Sequence, residues 1–228
     1  MNKRLQAIES LVFPGIGLID VGTDHGFLPV SLARHAYPGA LYASDIAEGP
    51  LASAKRNALA AGLQDRIQFL LCDGLSLCDP ETIDTIVIAG MGGDTICSIL
   101  DHAEWCMDPR YRLILQPMTR AEVLRYWLVN NGFSIDQERL VEEGSELYAL
   151  FTARFGAKMV LRDSELYTGA FSLIQKDPHW QQFLSMQLRR MQKLIEGLRL
   201  GGREAGRLQL MTSIDQELKE RLQHDDCS

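Results

Sequence analysis

From residue 17 to residue 155 the chain alternates short, continuously apolar runs with stretches of helical spacing. The apolar runs are 17–21, 40–44, 67–71, 85–89 and 112–116. Helical patterns follow at about 28–35, 50–61, up to about 103, and at 120–130. A strand that is apolar on both faces must be covered on both sides, so such strands joined by helices predict a parallel sheet between helical layers. Two further strand patterns, 133–141 and 147–155, are joined across Glu143-Gly144 with no helix between them. They add one antiparallel strand. The expected fold is α/β, a Rossmann-like, mostly parallel sheet.

After Gly156 only helical spacing is left. Leu184, Leu188, Met191, Ile195 and Leu198 recur at intervals of 4, 3, 4 and 3, a coiled-coil seam. Leu200-Gly-Gly-Arg203 interrupts it, and Met211, Ile214, Leu218 and Leu222 form a second stripe. A Gly-Gly break between two stripes reads as an antiparallel helical hairpin. We place a domain boundary near 156, giving a sheet domain over 1–156 and a helical, coiled-coil-like domain over 157–228. The strict seam is about two heptads long, so the pair is expected to pack within one chain, with a monomer expected and a weak oligomer the alternative.

Composition removes several classes. With 46% hydrophobic residues in 228, the chain has material for a core and is not disordered. Its longest apolar run, around 83–91, is far short of the roughly 18–20 residues of a membrane span. The first ten residues contain no apolar core of a signal peptide. Five cysteines, an odd number without a CxxC pair, read as reduced thiols of a cytoplasmic protein rather than a disulfide frame or zinc site. The histidines show no metal spacing, so no metal is expected. The net charge of −7 argues against a phosphate-rich partner when taken whole. It is uneven, however. Residues 1–155 hold 12 Lys/Arg against 20 Asp/Glu, whereas 158–209 hold 9 against 5. Arg189, Arg190, Lys193, Arg199, Arg203 and Arg207 form either a solvated helix face or a footprint for a phosphate backbone.

The chemistry concentrates where strands end. Asp20-Val-Gly-Thr-Asp-His-Gly26 closes the first run with an acid and a glycine turn leading to a helix. Gly22 and Gly26 let backbone approach a ligand closely. A dinucleotide fingerprint would also need glycine at 24 and 27, where the chain has Asp24 and Phe27, which weakens a nicotinamide reading. Asp45 ends the second run and can accept from ribose hydroxyls, or simply cap the next helix. Cys72-Asp73-Gly74 ends the third. Three acids at the carboxyl ends of successive parallel strands, where open α/β sheets bind ligands, suit a nucleoside ligand. With the closing hairpin this is the plan of class I methyltransferases, where Asp20 would accept from the methionine amino group of S-adenosyl-L-methionine and Asp73 from its adenine. Ile88-Ala-Gly-Met-Gly-Gly-Asp94 ends the fourth run, exposing backbone polar groups that suit a flat base. Asp94 either serves the substrate or caps a helix. Gln116-Pro-Met118 ends the fifth, and an amide that donates and accepts suits base reading. His25 sits inside the glycine turn and either acts in the chemistry or fills the turn.

These segments together resemble the bacterial TrmK-type family of tRNA (adenine-22-N1)-methyltransferases. The matching stretches are Lys3-Arg-Leu5, Asp20-Val-Gly-Thr-Asp-His-Gly-Phe-Leu-Pro29, Ala43-Ser-Asp45, Cys72-Asp-Gly74, Ile88-Ala-Gly-Met-Gly-Gly93 and Leu113-Ile-Leu-Gln-Pro-Met118. The resemblance covers about 1–155 closely and the helical part in kind. It implies S-adenosyl-L-methionine as donor and N1 of a tRNA adenine in the D-arm region as acceptor. The expected donor site is Asp20, Gly22, Thr23, Asp24, Gly26, Asp45, Ile46, Asp73, Gly74, Ala89 and Gly90. On the acceptor side we expect Gly92, Gly93, Gln116 and Met118, with Arg189, Arg190 and Lys193 on tRNA. His25, Met91 and Asp94 are the candidates nearest the chemistry. A class I methyltransferase of a small molecule or protein, a nicotinamide-dependent oxidoreductase and a non-catalytic donor- or RNA-binding protein remain alternatives at this stage.

Overall fold

The computed structural model describes residues 2–202 and 204–225. Chain contacts divide it into two compact units, residues 1–159 and 160–228.

The first unit is built on a seven-stranded sheet. Its strands are β1 (Gly17–Val21), β2 (Ala40–Asp45), β3 (Ile67–Leu71), β4 (Thr85–Gly92), β5 (Arg112–Thr119), β6 (Phe133–Glu143) and β7 (Glu146–Phe155). They lie in the order β3-β2-β1-β4-β5-β7-β6. β1 to β5 pair in parallel, and β7 runs antiparallel to both β5 and β6. The runs of β1, β4 and β5 are the buried centre, whereas the run of β3 forms a sheet edge with Leu71 exposed. Leu18, Ile19, Ile86, Val87, Ile88, Leu113, Ile114 and Leu115 are each fully buried. The order reverses between β1 and β4, so the crevice for a ligand opens above their carboxyl ends.

The helices of this unit are α1 (Lys3–Glu9), α2 (Phe27–Arg34), α3 (Glu48–Ala60), α4 (Gly93–Asp101) and α5 (Ala121–Asn130). α1 did not follow from the hydrophobic pattern, since seven residues are too few to show a period. Asn2 caps it by accepting from the Leu5 N–H at 2.9 Å. Ile8 of this helix and Leu11 just past its end are buried. Glu9 then fixes it to α2, accepting from Ser31 Oγ at 3.0 Å and pairing with His35 Nδ1 at 2.7 Å. Between α5 and β6, Arg125 and Glu138 form a wholly buried ion pair, with Arg125 Nε donating to Glu138 Oε1 at 2.9 Å. Cys72, Cys78, Cys97 and Cys106 are buried and unbridged, and Cys227 lies outside the described residues.

The second unit holds α6 (Asp163–Thr168), α7 (Phe171–Ile174), α8 (Trp180–Gly201) and α9 (Ala205–Asp225). Leu184, Leu188, Met191 and Ile195 of α8 are buried, as are Met211, Ile214 and Leu218 of α9. Gly202, at φ 65°, ends α8 in the left-handed conformation that stops a helix, and the two long helices pack together. The hairpin is not alone: α6 packs on both of its helices. Among the described residues no helix is long and apolar enough to cross a membrane, and no cluster of metal-binding side chains occurs.

Candidate functional site

Two cavities open above the carboxyl ends of β1, β2, β3, β4 and β5, and Gly22 lies in the wall of both. The larger, about 310 Å³, is bounded by Asp20, Thr23, Asp24, His25 and Phe27 from the first turn. Ala89 and Gly90, Gln116 and Met118, and Asn2, Arg4, Leu5 and Ile8 of α1 complete it. The smaller, about 230 Å³, holds Asp45, Ile46, Asp73, Gly74 and Met91, with Ser98 and Ile99 of α4.

The β1–α2 turn is shaped by backbone that ordinary residues avoid. Gly22 and Gly26 both sit at φ 68°, and Asp24 is left-handed at φ 51°. The Gly22 and Thr23 N–H groups donate to the Ser44 carbonyl at 2.8 and 3.0 Å, folding the turn over β2. A Cβ on Gly22 would stand 2.1 Å from the Met91 methyl, and one on Gly26 would stand 2.9 Å from Ala54 Cβ. Gly22 is therefore favoured by its left-handed backbone, while the Met91 methyl, the free end of a flexible side chain, would have to swing aside for any Cβ. Gly26 does not reach either cavity; its part is to let α2 start against α3.

Asp20 ends up buried, with only 6% of its surface exposed, and Thr23 Oγ1 donates to its Oδ2 at 2.6 Å. Burial pushes its carboxyl up from an ordinary 3.8 to about 7, the Thr23 hydrogen bond opposes this, and the Asp45 charge adds to it. A buried acid with this proton affinity, facing a cavity, is set to gain from a cationic ligand. Asp45 Oδ1 accepts from the Ala47 N–H at 2.9 Å in a turn ahead of α3, whose N-cap is Ala47 with no side-chain cap, so Asp45 does not cap that helix. Asp73 is exposed at the rim of the smaller cavity.

The acceptor side differs from the sequence expectation at several residues. Gln116 is 1% exposed and both ends of its amide are engaged: Oε1 accepts from Arg4 Nη1 at 3.0 Å, and Nε2 donates to the Pro117 carbonyl at 3.0 Å. It is not a free reader of bases. Arg4 also pairs with Glu143, meets Met118 Sδ at 2.9 Å and lies over the Tyr148 ring at 5.1 Å, bridging α1 to β5, β6 and β7. Asp94 lines neither cavity; it pairs with Arg120 at 2.9 Å and is half exposed. Gly92 and Gly93 are likewise outside both linings. A Cβ on Gly93 would fall 2.2 Å from the Arg120 carbonyl, so that glycine serves close packing of the β4–α4 and β5–α5 turns. His25 does line the larger cavity, with Nδ1 2.9 Å from Ser53 Oγ. Met91 carries an apolar thioether with no proton to move.

Arg189, Arg190 and Lys193 are exposed on α8, on the side away from its buried seam. Arg207 pairs with Glu204 at 2.9 Å, and Arg203 lies outside the described residues. The sequence reading passed over Asn2, Arg4, Leu5 and Ile8 as cavity residues, and Phe27 as well. The Lys3-Arg-Leu5 segment stood among the matching motifs, which was the available signal for α1.

Comparison with known proteins bears on the family and the fold. Residues 1–151 match the family model of a methyltransferase domain. The tRNA (adenine(22)-N(1))-methyltransferase of Bacillus subtilis is 31% identical over 202 residues, covering 86% of this chain and 84% of its own. A candidate tRNA (m1A22) methyltransferase of Streptococcus pneumoniae, solved with S-adenosyl-L-methionine, is 32% identical with a TM-score of 0.78, covering 97% of this chain and 99% of its own. The B. subtilis TrmK structure superposes with a TM-score of 0.83 at 26% identity over 97% and 98% of the two chains. By the matched domain, the near full-length identity and the shared fold, this chain belongs to the TrmK-type family of tRNA (adenine-22-N1)-methyltransferases.

Proposed function

We propose that this chain transfers the methyl group of S-adenosyl-L-methionine to N1 of adenine 22 in tRNA, and does so as a cytoplasmic monomer. The observation that carries the reading is the pair of cavities meeting at Gly22, with the buried Asp20 behind one and Asp45 and Asp73 beside the other. That division suits a donor with a charged amino-acid end and a nucleoside end.

In this reading Asp20 accepts from the donor's amino group. Asp45 accepts from the ribose through its remaining oxygen, Asp73 accepts from the adenine amine, and Gly74 leaves room under the ring. When bound, the donor supplies an electrophilic methyl whose bond to sulfur breaks, leaving the electron pair on sulfur, as its bond to adenine N1 forms. Adenine N1 brings its own lone pair, so the chain needs no general base. Its residues contribute alignment and a place for the positive charge that appears on the base. His25 has no proton to remove in this scheme, and neither does Asp94. Ala89 and Gly90 line the same cavity as Asp20 and give it a wall without long side chains. An adenine within a stem must leave its stack, at a few kcal/mol. Arg189, Arg190 and Lys193 then offer phosphate contacts that do not depend on sequence.

The test is turnover. Unmodified tRNA incubated with the protein and isotopically labelled donor, digested and resolved by mass spectrometry, is expected to yield labelled 1-methyladenosine. Label in protein or in small metabolites, with none in tRNA, would refute the reading.

A further inference from the structure

We infer that the exposed ring of Phe27, backed by His25, is the stacking platform for the adenine that accepts the methyl group. The inference rests on the adenine reading above and assigns a residue to it.

Phe27 opens α2 directly after the glycine turn and keeps 49% of its surface exposed, whereas Leu28 next to it keeps 1%. A phenylalanine left in water contributes little to folding, and its neighbours explain what it is set up to do. Asp24 and Gly26, both left-handed, bracket His25 and turn its ring beside that of Phe27. The rings stack with centroids 5.3 Å apart at 29°. Holding a non-glycine residue such as Asp24 in that conformation costs about 1 kcal/mol, which packing elsewhere must offset. His25 is fixed from three sides. Its Nδ1 lies 2.9 Å from Ser53 Oγ, its carbonyl accepts from Asn57 Nδ2 at 2.9 Å, and Nε2 lies 3.6 Å from the Asp24 carboxylate. The Phe27 ring is thus in contact with a hydrogen-bonded imidazole and still has half of its surface exposed. Both rings line the larger cavity, together with Asp20 and Gln116.

An adenine drawn out of its stack loses two aromatic neighbours, and an exposed aromatic ring replaces one of them. Gln116, the other group suited to base recognition, has its amide already engaged, which leaves the ring face of the base as the surface to hold. Charge adds a second reason. Methylation at N1 turns the base into a cation, and the face of an aromatic ring attracts a cation more than a neutral base. The Asp24 carboxylate beside His25 acts in the same direction. The contact therefore tightens as the reaction proceeds, which is the condition for lowering the barrier rather than only binding substrate.

The test compares Phe27→Leu, which keeps an apolar side chain without a π-face, with Phe27→Tyr, which keeps the ring. At saturating donor, Phe27→Leu is expected to lower kcat/KM for tRNA about 5- to 100-fold, the range of one base–aromatic stack. Phe27→Tyr should stay near wild type, and donor affinity by calorimetry should change little in both. A tRNA with 2-aminopurine at the target position should be less quenched in complex with Phe27→Leu than with wild type. Wild-type turnover by Phe27→Leu would overturn the platform and leave the methylation reading intact. A defect that disappears at saturating donor would assign Phe27 to the donor and also overturn it. A wild-type protein that does not methylate adenine in tRNA would remove the reading itself and the platform with it.

Discussion

Replacing Asp20 by asparagine separates what this residue costs the fold from what it contributes to the site. In the folded protein its carboxyl is pushed up to about 7, chiefly by burial, from an ordinary 3.8. The folded state thus holds the proton more tightly than the unfolded chain. Asp20 weakens the fold increasingly as pH rises from about 4 through about 7, and the penalty is then constant. At 1.36 kcal/mol per decade of proton affinity, the separation amounts to about 4 kcal/mol at pH 8. Asparagine keeps the shape and can still accept from Thr23 through its carbonyl, but carries no charge. In the absence of donor, Asp20→Asn should therefore melt above wild type at pH 8, by roughly 8–16 °C for a chain of this size, and converge with it near pH 4. Donor binding should move the opposite way. The donor's cationic amino-acid end favours ionised Asp20, so wild-type affinity should rise with pH up to about 7 and then level, with a proton released on binding below that point. The variant should bind more weakly and without that slope. Thermal melts across pH, paired with calorimetry in two buffers of different ionisation enthalpy, measure both. Equal melting at pH 8 would refute the buried-charge argument. An unchanged pH slope of binding would refute Asp20 as the partner of the donor's charge.

Three further outcomes follow from the same geometry. Gly22→Val should weaken donor binding at least tenfold, because a branched side chain at φ 68° is strained and its Cβ meets the Met91 methyl; unaltered calorimetric affinity would remove Gly22 from the site. Glu138→Ala should destabilise the protein by about 3–5 kcal/mol in chemical denaturation, since it removes the carboxylate that balances a buried guanidinium, while the double change Arg125→Met with Glu138→Leu should recover most of the loss. Reversing Arg189, Arg190 and Lys193 to glutamate should weaken tRNA binding and flatten its dependence on salt, leaving donor affinity alone; an unchanged salt slope would place the phosphate contacts on another surface.

The sheet was readable because burial on both faces leaves a local mark. The centres of β1, β4 and β5 had to be apolar on both faces to lie inside a parallel sheet, and Asp20, Asp45 and Asp73 at the strand ends stand out against that background. The hairpin of β6 and β7 and the seam of α8 were readable for the same reason, since a period of two or of three to four survives in the linear order. The helix α1 was not, because seven residues capped by Asn2 carry no such period and its anchor, Glu9 on Ser31 and His35, lies across the fold.

The site divides along the same line. Sequence alone placed Asp20, Asp45 and Asp73 at the ends of adjacent strands, because parallel topology determines which strand ends meet at the crevice. It also marked Gly22, because a turn between strand and helix requires backbone of that kind. Only the tertiary structure decided which side chains were still available. Gln116 looked free until Arg4 and the Pro117 carbonyl took both ends of its amide, and Asp94 looked catalytic until Arg120 paired with it. Phe27 stood out in the sequence only as a non-glycine at a dinucleotide-fingerprint position, and the fold leaves its ring half exposed beside His25. Hydrogen bonds and ion pairs between residues distant in the chain leave no periodic trace, and a side chain's chemistry depends on what has already claimed its polar atoms. Sequence therefore determined the sheet, its acidic rim and the family, and the fold decided which of those groups face an open cavity.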